Sequence, residues 1–161
     1  MSDSARIVVI GVGNDFRRDD GAGRIVARKV KATAGIAVRV IEASGEGAAL
    51  IDAWRGAECA LIIDASQSGA APGAIRRLDA RAQTIPREFF HYSTHAFSVA
   101  EAVELARALD QLPPRLILYA IEGKDFSSGE GLSPEVAAAV EAVICRVNEE
   151  LRPAGEPSGN E

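Results

Sequence analysis

Three side chains in this 161-residue sequence have the chemistry to hold a divalent transition metal: Asp20, Asp64 and His95. Two carboxylates and one imidazole form an oxygen and nitrogen donor set that suits nickel, zinc or manganese. Each residue also has an ordinary structural explanation, because an aspartate often caps a helix or a turn and a loop histidine often binds backbone. The metal-site hypothesis therefore depends on whether the fold brings the three together.

The chain alternates short apolar runs with amphipathic segments, a pattern that predicts an α/β fold. Strands are predicted at residues 7–10, 37–41, 60–63, 74–78 and 116–120, the fourth of them at an edge. Helices are predicted to begin near residues 23, 47, 98 and 133. We therefore expect a single-domain three-layer sandwich, in which helices cover both faces of a mostly parallel, twisted sheet of about five strands. The domain is predicted to span residues 1–152, followed by a disordered tail at 153–161.

This topology predicts that the three candidate ligands meet at one edge of the sheet. The ligand site of an open parallel sheet lies beyond the carboxyl ends of its strands, and Asp20 and Asp64 follow the first and third strands. Ser98 and Glu101 form a capping-box pattern, which places the start of a helix just after His95. Since that helix must return to the start of a parallel strand, its N-terminus lies at the same edge. Four other polar residues are predicted there as substrate-binding candidates: Asn14, Asp19, Glu42 and Glu122.

Several better-known motifs are absent or incomplete. Gly11-x-Gly13 follows the first strand, but Phe16 stands where the dinucleotide-binding fingerprint needs a third glycine. His91 and His95 have the spacing of a zinc protease, yet Tyr92 replaces the glutamate that acts there as general base. The sequence also contains no Gly-x-Ser-x-Gly nucleophile elbow.

The composition of the chain disfavours several classes of function. The net charge is −5 and no dense block of Lys and Arg occurs, which disfavours nucleic-acid binding. No apolar run approaches the roughly 20 residues of a membrane helix, and no signal peptide is recognisable, so we expect a cytoplasmic protein without membrane contact. Cys59 and Cys145 lack neighbouring ligands at zinc spacing and are predicted to be packed free thiols.

Six motifs occur in an order that resembles the hydrogenase maturation proteases. They are VIGVGN at residues 9–14, DDGAG at 19–23, LIIDA at 61–65, PG at 72–73, STH at 93–95 and GEGLSP at 129–134. The resemblance covers residues 7 to about 150. Several motifs in register are far more specific than any one of them.

The resemblance implies an endopeptidase that removes the C-terminal extension of a [NiFe]-hydrogenase large-subunit precursor after nickel insertion. The family's metal-interacting positions match Asp20, Asp64 and His95, and Asp19 keeps a claim to the first because some relatives have glutamate there. The family implies a monomer with no metal cofactor of its own, which binds the nickel that the substrate carries. One hypothesis for catalysis is that Asp20 or Asp64 positions or deprotonates a water while nickel polarises its surroundings.

Other functions remain open from the residues alone. A peptidyl-tRNA hydrolase also opens with a strand and a Gly-x-Gly-Asn turn, but that family expects a histidine shortly after the turn, where this chain has Arg17-Arg18-Asp19-Asp20. That family also expects a basic face for tRNA, whereas the net charge here is −5. A non-catalytic nickel-binding module or chaperone could use the same three ligands. A germination-type protease that shares the fold would differ only in its substrate.

Overall fold

The computed structural model describes residues 6–87 and 98–152. Its sheet has five strands: β1 (Ile7–Val12), β2 (Val38–Ala43), β3 (Cys59–Ser66), β4 (Ile75–Asp79) and β5 (Arg115–Glu122). Their order across the sheet is β2-β1-β3-β5-β4. Four strands run parallel, and only the edge strand β4 is antiparallel to its neighbour β5.

The described part of the chain forms four α-helices in two layers. They are α1 (Ala22–Thr33), α2 (Gly47–Trp54), α3 (Val99–Ala108) and α4 (Pro134–Glu150), and a short 3₁₀ helix at Arg18–Gly21 precedes α1. The helices α1 and α4 pack on one face of the sheet and α2 and α3 on the other. Apolar strand residues alternate between the two cores, so the central strands are continuous runs of buried apolar side chains.

This architecture confirms the predicted fold class, and the structure refines two local details. The strand β3 continues to Ser66, so Asp64 lies inside the strand, opposite Ala120 of β5, rather than after it. The helix α3 begins just after Ser98, as predicted, but the Ser98 side chain makes no capping bond to the backbone. Its hydroxyl donates instead to the Glu101 carboxylate at 2.7 Å.

The direction of α3 places its first residue toward the carboxyl edge of the sheet, which is the side where the parallel strands have their C-terminal ends. The opposite side is called the amino edge. Beyond the end of α3, the carbonyl of Gln111 accepts a hydrogen bond of 3.3 Å from Trp54 Nε1 at the end of α2. Both helices therefore end near the amino edge, where β3 and β5 begin. Ten helical residues span about 15 Å, so Ser98 lies on the opposite side.

Two remaining predictions concern thiols and membranes. Both cysteines are free, as predicted, but Cys145 is exposed, so its predicted packing was wrong. It lies two residues from buried Val143 and Val147 and therefore faces away from the core. Among residues 6–87 and 98–152, no helix combines the length and apolarity needed to cross a bilayer. The predicted domain boundary at residue 152 coincides with the end of the described residues and stays a prediction.

Candidate active site

The loop between β1 and α1 folds back on itself and brings Asp20 against the end of β1. The backbone N–H of Asn14 donates to the Asp20 carbonyl at 3.3 Å, and the Asp20 N–H donates to the Arg17 carbonyl at 3.1 Å. A Cβ added at Gly13, whose φ is +152°, would lie 1.9 Å from the Asp20 carbonyl oxygen. Only glycine allows this approach, which explains the glycine before Asn14.

Close packing of α1 on the sheet brings Asp20 and Asp64 to the same corner. A Cβ added at Gly23 would lie 2.2 Å from the carbonyl oxygen of Ile63 and 2.5 Å from that of Val12. The start of α1 therefore rests on the ends of β1 and β3. Asp20 precedes Gly23 by three residues, and Asp64 follows Ile63 directly. Both aspartates are nearly buried, with 7% of Asp20 and 4% of Asp64 exposed.

The preceding residue, Asp19, is fully buried and holds this loop in place. Its carboxylate accepts backbone N–H bonds from Lys124 at 2.8 Å, Asp125 at 2.9 Å and Ser133 at 2.8 Å, and a hydroxyl bond from Ser133 at 2.9 Å. These donors belong to the connection between β5 and α4, more than 100 residues along the chain. Asp19 therefore ties two loops together through its own carboxylate, and Asp20 stays the predicted ligand of the pair.

Glu122, the last residue of β5, fixes the segment that follows Asp64. Only 4% of Glu122 is exposed. Its carboxylate accepts hydroxyl bonds from Ser66 at 3.1 Å and Ser68 at 2.7 Å, and backbone bonds from Ser68 at 2.9 Å and Gly69 at 3.2 Å. The sequence predicted that Glu122 lies at this edge, but nothing in it indicated these serine contacts.

Glu42, at the end of β2, belongs to a network of ion pairs that sequence reasoning missed. Its carboxylate accepts bonds from Arg24 Nε at 3.0 Å and Arg28 Nε at 2.9 Å, and Arg28 also pairs with Asp15. The bond from Arg28 is the main reason why the pKa of Glu42 is lowered, although partial burial opposes it. In the sequence, this network is indicated by the spacing of four between Arg24 and Arg28, which places both side chains on one face of α1.

The remaining predicted residues differ in how far the structure describes them. Asn14 is exposed, and its side-chain oxygen accepts the Phe16 N–H at 2.9 Å. His95 lies outside the described residues. Within the described ranges, no group of three or more His, Cys, Asp or Glu side chains forms a metal-binding cluster. Asp20 and Asp64 are the two predicted ligands that the structure describes, and the metal site stays a prediction.

Comparison with known proteins decides the family. A model of the hydrogenase maturation protease family matches residues 25–150. This chain belongs to that family. The maturation protease is 29% identical over 154 residues to the hydrogenase 2 maturation protease of Escherichia coli (strain K12), with 93% of each chain covered.

Solved structures agree with this assignment. The solution structure of the endopeptidase HycI from Escherichia coli is 27% identical, with a TM-score of 0.71 and coverage of 92% of this chain and 93% of that one. Another Escherichia coli endopeptidase, 24% identical, superposes with a TM-score of 0.80 over 93% of this maturation protease and 94% of its own chain, which supports the fold. The predicted family and the predicted endopeptidase activity are confirmed. Family membership also disfavours the peptidyl-tRNA hydrolase and non-catalytic alternatives.

Proposed function

We propose that this maturation protease removes the C-terminal extension of a [NiFe]-hydrogenase large-subunit precursor, and does so only once the precursor holds nickel. The observation that carries the proposal is the pair of nearly buried carboxylates, Asp20 and Asp64, at one corner of the carboxyl edge. Membership of the family supports the reaction, and the donor chemistry supports the metal.

Nickel in this proposal is cargo of the substrate, and the protease needs no resident metal. Asp20, Asp64 and His95 would bind the ion together. His95 is three residues from Ser98, a span of at most roughly 11 Å, and Ser98 lies toward the carboxyl edge. An incomplete ligand set gains binding energy only from a precursor that supplies the ion. Recognition thereby becomes a test of whether nickel has been inserted.

The same carboxylates offer a route to peptide hydrolysis. One aspartate accepts a proton from a water molecule as the resulting hydroxide adds to the scissile carbonyl carbon. The carboxylic acid then returns that proton to the leaving amine as the C–N bond breaks. In this scheme the nickel carried by the precursor would hold the scissile bond in position and polarise its surroundings. Asp19 would keep the loop after β1 in place, and Glu122 the segment after β3.

Substrate contacts divide into direct and indirect ones in this proposal. Asn14 and Glu42 are exposed at the carboxyl edge and would contact the extension. Asp19 and Glu122 are buried against the protein's own loops, so they would support binding only indirectly. We propose that the protease acts as a monomer, since these contacts need one copy of the chain. We also propose that it acts in the cytoplasm.

The proposal is tested with a cognate large-subunit precursor, prepared once loaded with nickel and once without it. Intact mass spectrometry follows both forms during incubation with the protease. Loss of a C-terminal peptide from the loaded form alone is the expected result. Equal cleavage of both forms would refute the nickel requirement, and cleavage of neither would refute the proposed substrate.

A matched pair of variants tests the assignment of Asp64. We expect Asp64→Asn to slow cleavage of the loaded precursor about 100-fold or more, since removal of a general base typically costs 10²–10⁴-fold. Asp52→Asn is the control, because Asp52 lies on α2 with about 70% of its side chain exposed. Undiminished cleavage by Asp64→Asn would remove Asp64 from the catalytic role.

A further inference from the structure

An exposed aromatic ring lies on the loop that carries Asp20. Phe16 is 67% exposed, and the other large exposed apolar residues in the described ranges are Ile36, Leu105 and Leu109. Single exposed apolar side chains are common in proteins, so position must decide whether one matters. Ile36 precedes β2 at the amino edge, and the two leucines are at α3, whereas Phe16 is at the carboxyl edge.

The loop that presents Phe16 is held on both sides by backbone hydrogen bonds. The Phe16 carbonyl accepts the Gly129 N–H at 2.8 Å, and the Arg18 N–H donates to the Gly129 carbonyl at 2.9 Å. The base of this loop is closed by the Asn14 N–H, which donates to the Asp20 carbonyl at 3.3 Å. These bonds fix the backbone that carries the exposed ring, so little backbone entropy would be lost on binding.

The backbone near Phe16 is strained at Arg18, and the hydrogen bonds to Gly129 must offset that strain. Arg18 has a φ of +47°, in the left-handed region that a side chain rarely adopts. A Cβ added at Gly129 would lie 2.9 Å from the Arg18 guanidinium, so Arg18 lies close against that glycine. Local strain of about 1–3 kcal/mol per residue tends to persist at functional sites, and here it shapes the loop between Phe16 and Asp20.

We infer that Phe16 is a docking residue for the substrate polypeptide, and that an apolar side chain of the substrate packs on the exposed ring. The inference rests on the proposed function. An endopeptidase must bring a polypeptide past Asp20, and the turn that carries Phe16 closes directly on that residue. Aromatic side chains on preformed surfaces are frequent binding hot spots because they bury a large area with few rotatable bonds.

The test compares Phe16→Ala and Phe16→Leu with Ile36→Ala, whose side chain is fully exposed at the amino edge. Precursor concentration is varied to separate the half-saturating concentration from the maximal cleavage rate. Phe16→Ala should raise the half-saturating concentration about tenfold, in line with removal of an interface hot spot. Phe16→Leu should stay within about threefold and Ile36→Ala within about twofold of the unaltered protein, since the first keeps an apolar contact and the second lies elsewhere.

Direct binding of the nickel-loaded precursor is measured in parallel, so that docking is assessed without cleavage. Binding without cleavage by the unaltered protein, lost in Phe16→Ala, would refute the proposed reaction and support the docking residue. An unchanged half-saturating concentration and affinity in Phe16→Ala would refute the docking role. Loss of maximal rate alone would also refute it, and absence of binding by the unaltered protein would refute both proposals. Should Phe16→Ala unfold, Phe16→Gln supplies the same contrast.

Discussion

Two buried carboxylates beside the candidate site, Asp19 and Glu122, have different hydrogen-bond partners from Glu150 at the opposite edge of the sheet. At the carboxyl edge, Asp19 and Glu122 accept hydrogen bonds from loop amides and serine hydroxyls. At the amino edge, Glu150 accepts hydrogen bonds from Arg77 and Arg115, at 2.9 Å and 2.7 Å. Neutral donors fix the position of a carboxylate without adding a positive charge, whereas arginines neutralise it.

This difference matters for a substrate that carries a cation. Among the described residues, no Lys or Arg side chain pairs with Asp19 or Glu122, which lie beside Asp20 and Asp64. A site that kept arginines at this position would oppose nickel binding through like-charge repulsion. Arginine side chains near this edge pair instead with more exposed carboxylates, as Arg18 does with Asp125 and Arg24 with Glu42.

We expect the largest effect from Asp19→Ala. Four donors would lose their buried acceptor, and each unsatisfied buried group costs about 1–3 kcal/mol. We expect the free energy of unfolding to fall by about 3 kcal/mol or more, with cleavage lost as the loop releases Asp20. Urea denaturation and the precursor assay measure the two effects. Asp52→Ala, at an exposed position, should change stability by less than about 0.5 kcal/mol; a similar small change for Asp19→Ala would contradict its structural role.

Glu122→Gln is expected to have a smaller effect, because the shape of the side chain is kept. The amide NH₂ group would face donors such as the Ser68 and Gly69 N–H groups. We expect the free energy of unfolding to fall by about 2 kcal/mol. Cleavage should be roughly tenfold slower, because a small displacement of the segment after β3 would misplace groups at the site. Thermal or urea unfolding and the cleavage rate check both values. Ser127→Ala, which removes an exposed hydroxyl that donates to Asp125, provides the comparison. Wild-type cleavage by Glu122→Gln would show that the segment after β3 does not need this anchor.

The smallest effect is expected at the amino edge, from Glu150→Gln. Glu150 is 12% exposed, but its arginine partners are 41% and 50% exposed, so water replaces much of the lost interaction. We expect a loss of about 1 kcal/mol in stability and no change in cleavage. A decrease in cleavage at full folding would show that the amino edge also affects the site.

The contribution of Glu150 to stability should also depend on pH. Burial alone would raise the pKa of Glu150, but bonds from Arg77 and Tyr119 and the nearby positive charges hold it below its ordinary value of 4.5. A carboxylate with a lowered folded pKa stabilises the fold above its unfolded pKa, and that stability is lost as the pH falls through the folded pKa. The stability difference between the wild type and Glu150→Gln should therefore shrink below about pH 4.5. A difference that stays constant between pH 7 and pH 3 would contradict the ion-pair account.

Sequence reasoning predicted the scaffold well because its signals are local. Apolar runs indicated the five strands, and Ser98 indicated the start of α3, since burial and helix capping involve residues close in sequence. The contacts of Asp19 with Ser133 and of Glu122 with Ser68 were not predictable. Each joins loops more than 50 residues apart, and nothing near either residue encodes the partner.

The adjacent pair Asp19-Asp20 shows this limit most clearly. Two identical side chains, next to each other in one loop, have different surroundings because a 3₁₀ turn directs Asp19 toward the β5–α4 connection. Burial does not separate them, since both are nearly inaccessible to solvent. Only the three-dimensional contacts show which aspartate holds the loop.

We propose above that Asp20 and Asp64 recognise nickel carried by the precursor. The most direct measurement is the affinity of the wild type, Asp20→Asn and Asp64→Asn for the nickel-loaded and nickel-free precursor, determined by a binding assay that does not require cleavage. We expect the wild type to bind the loaded form more tightly and both variants to lose that preference. A nickel preference that persists in both variants would contradict it.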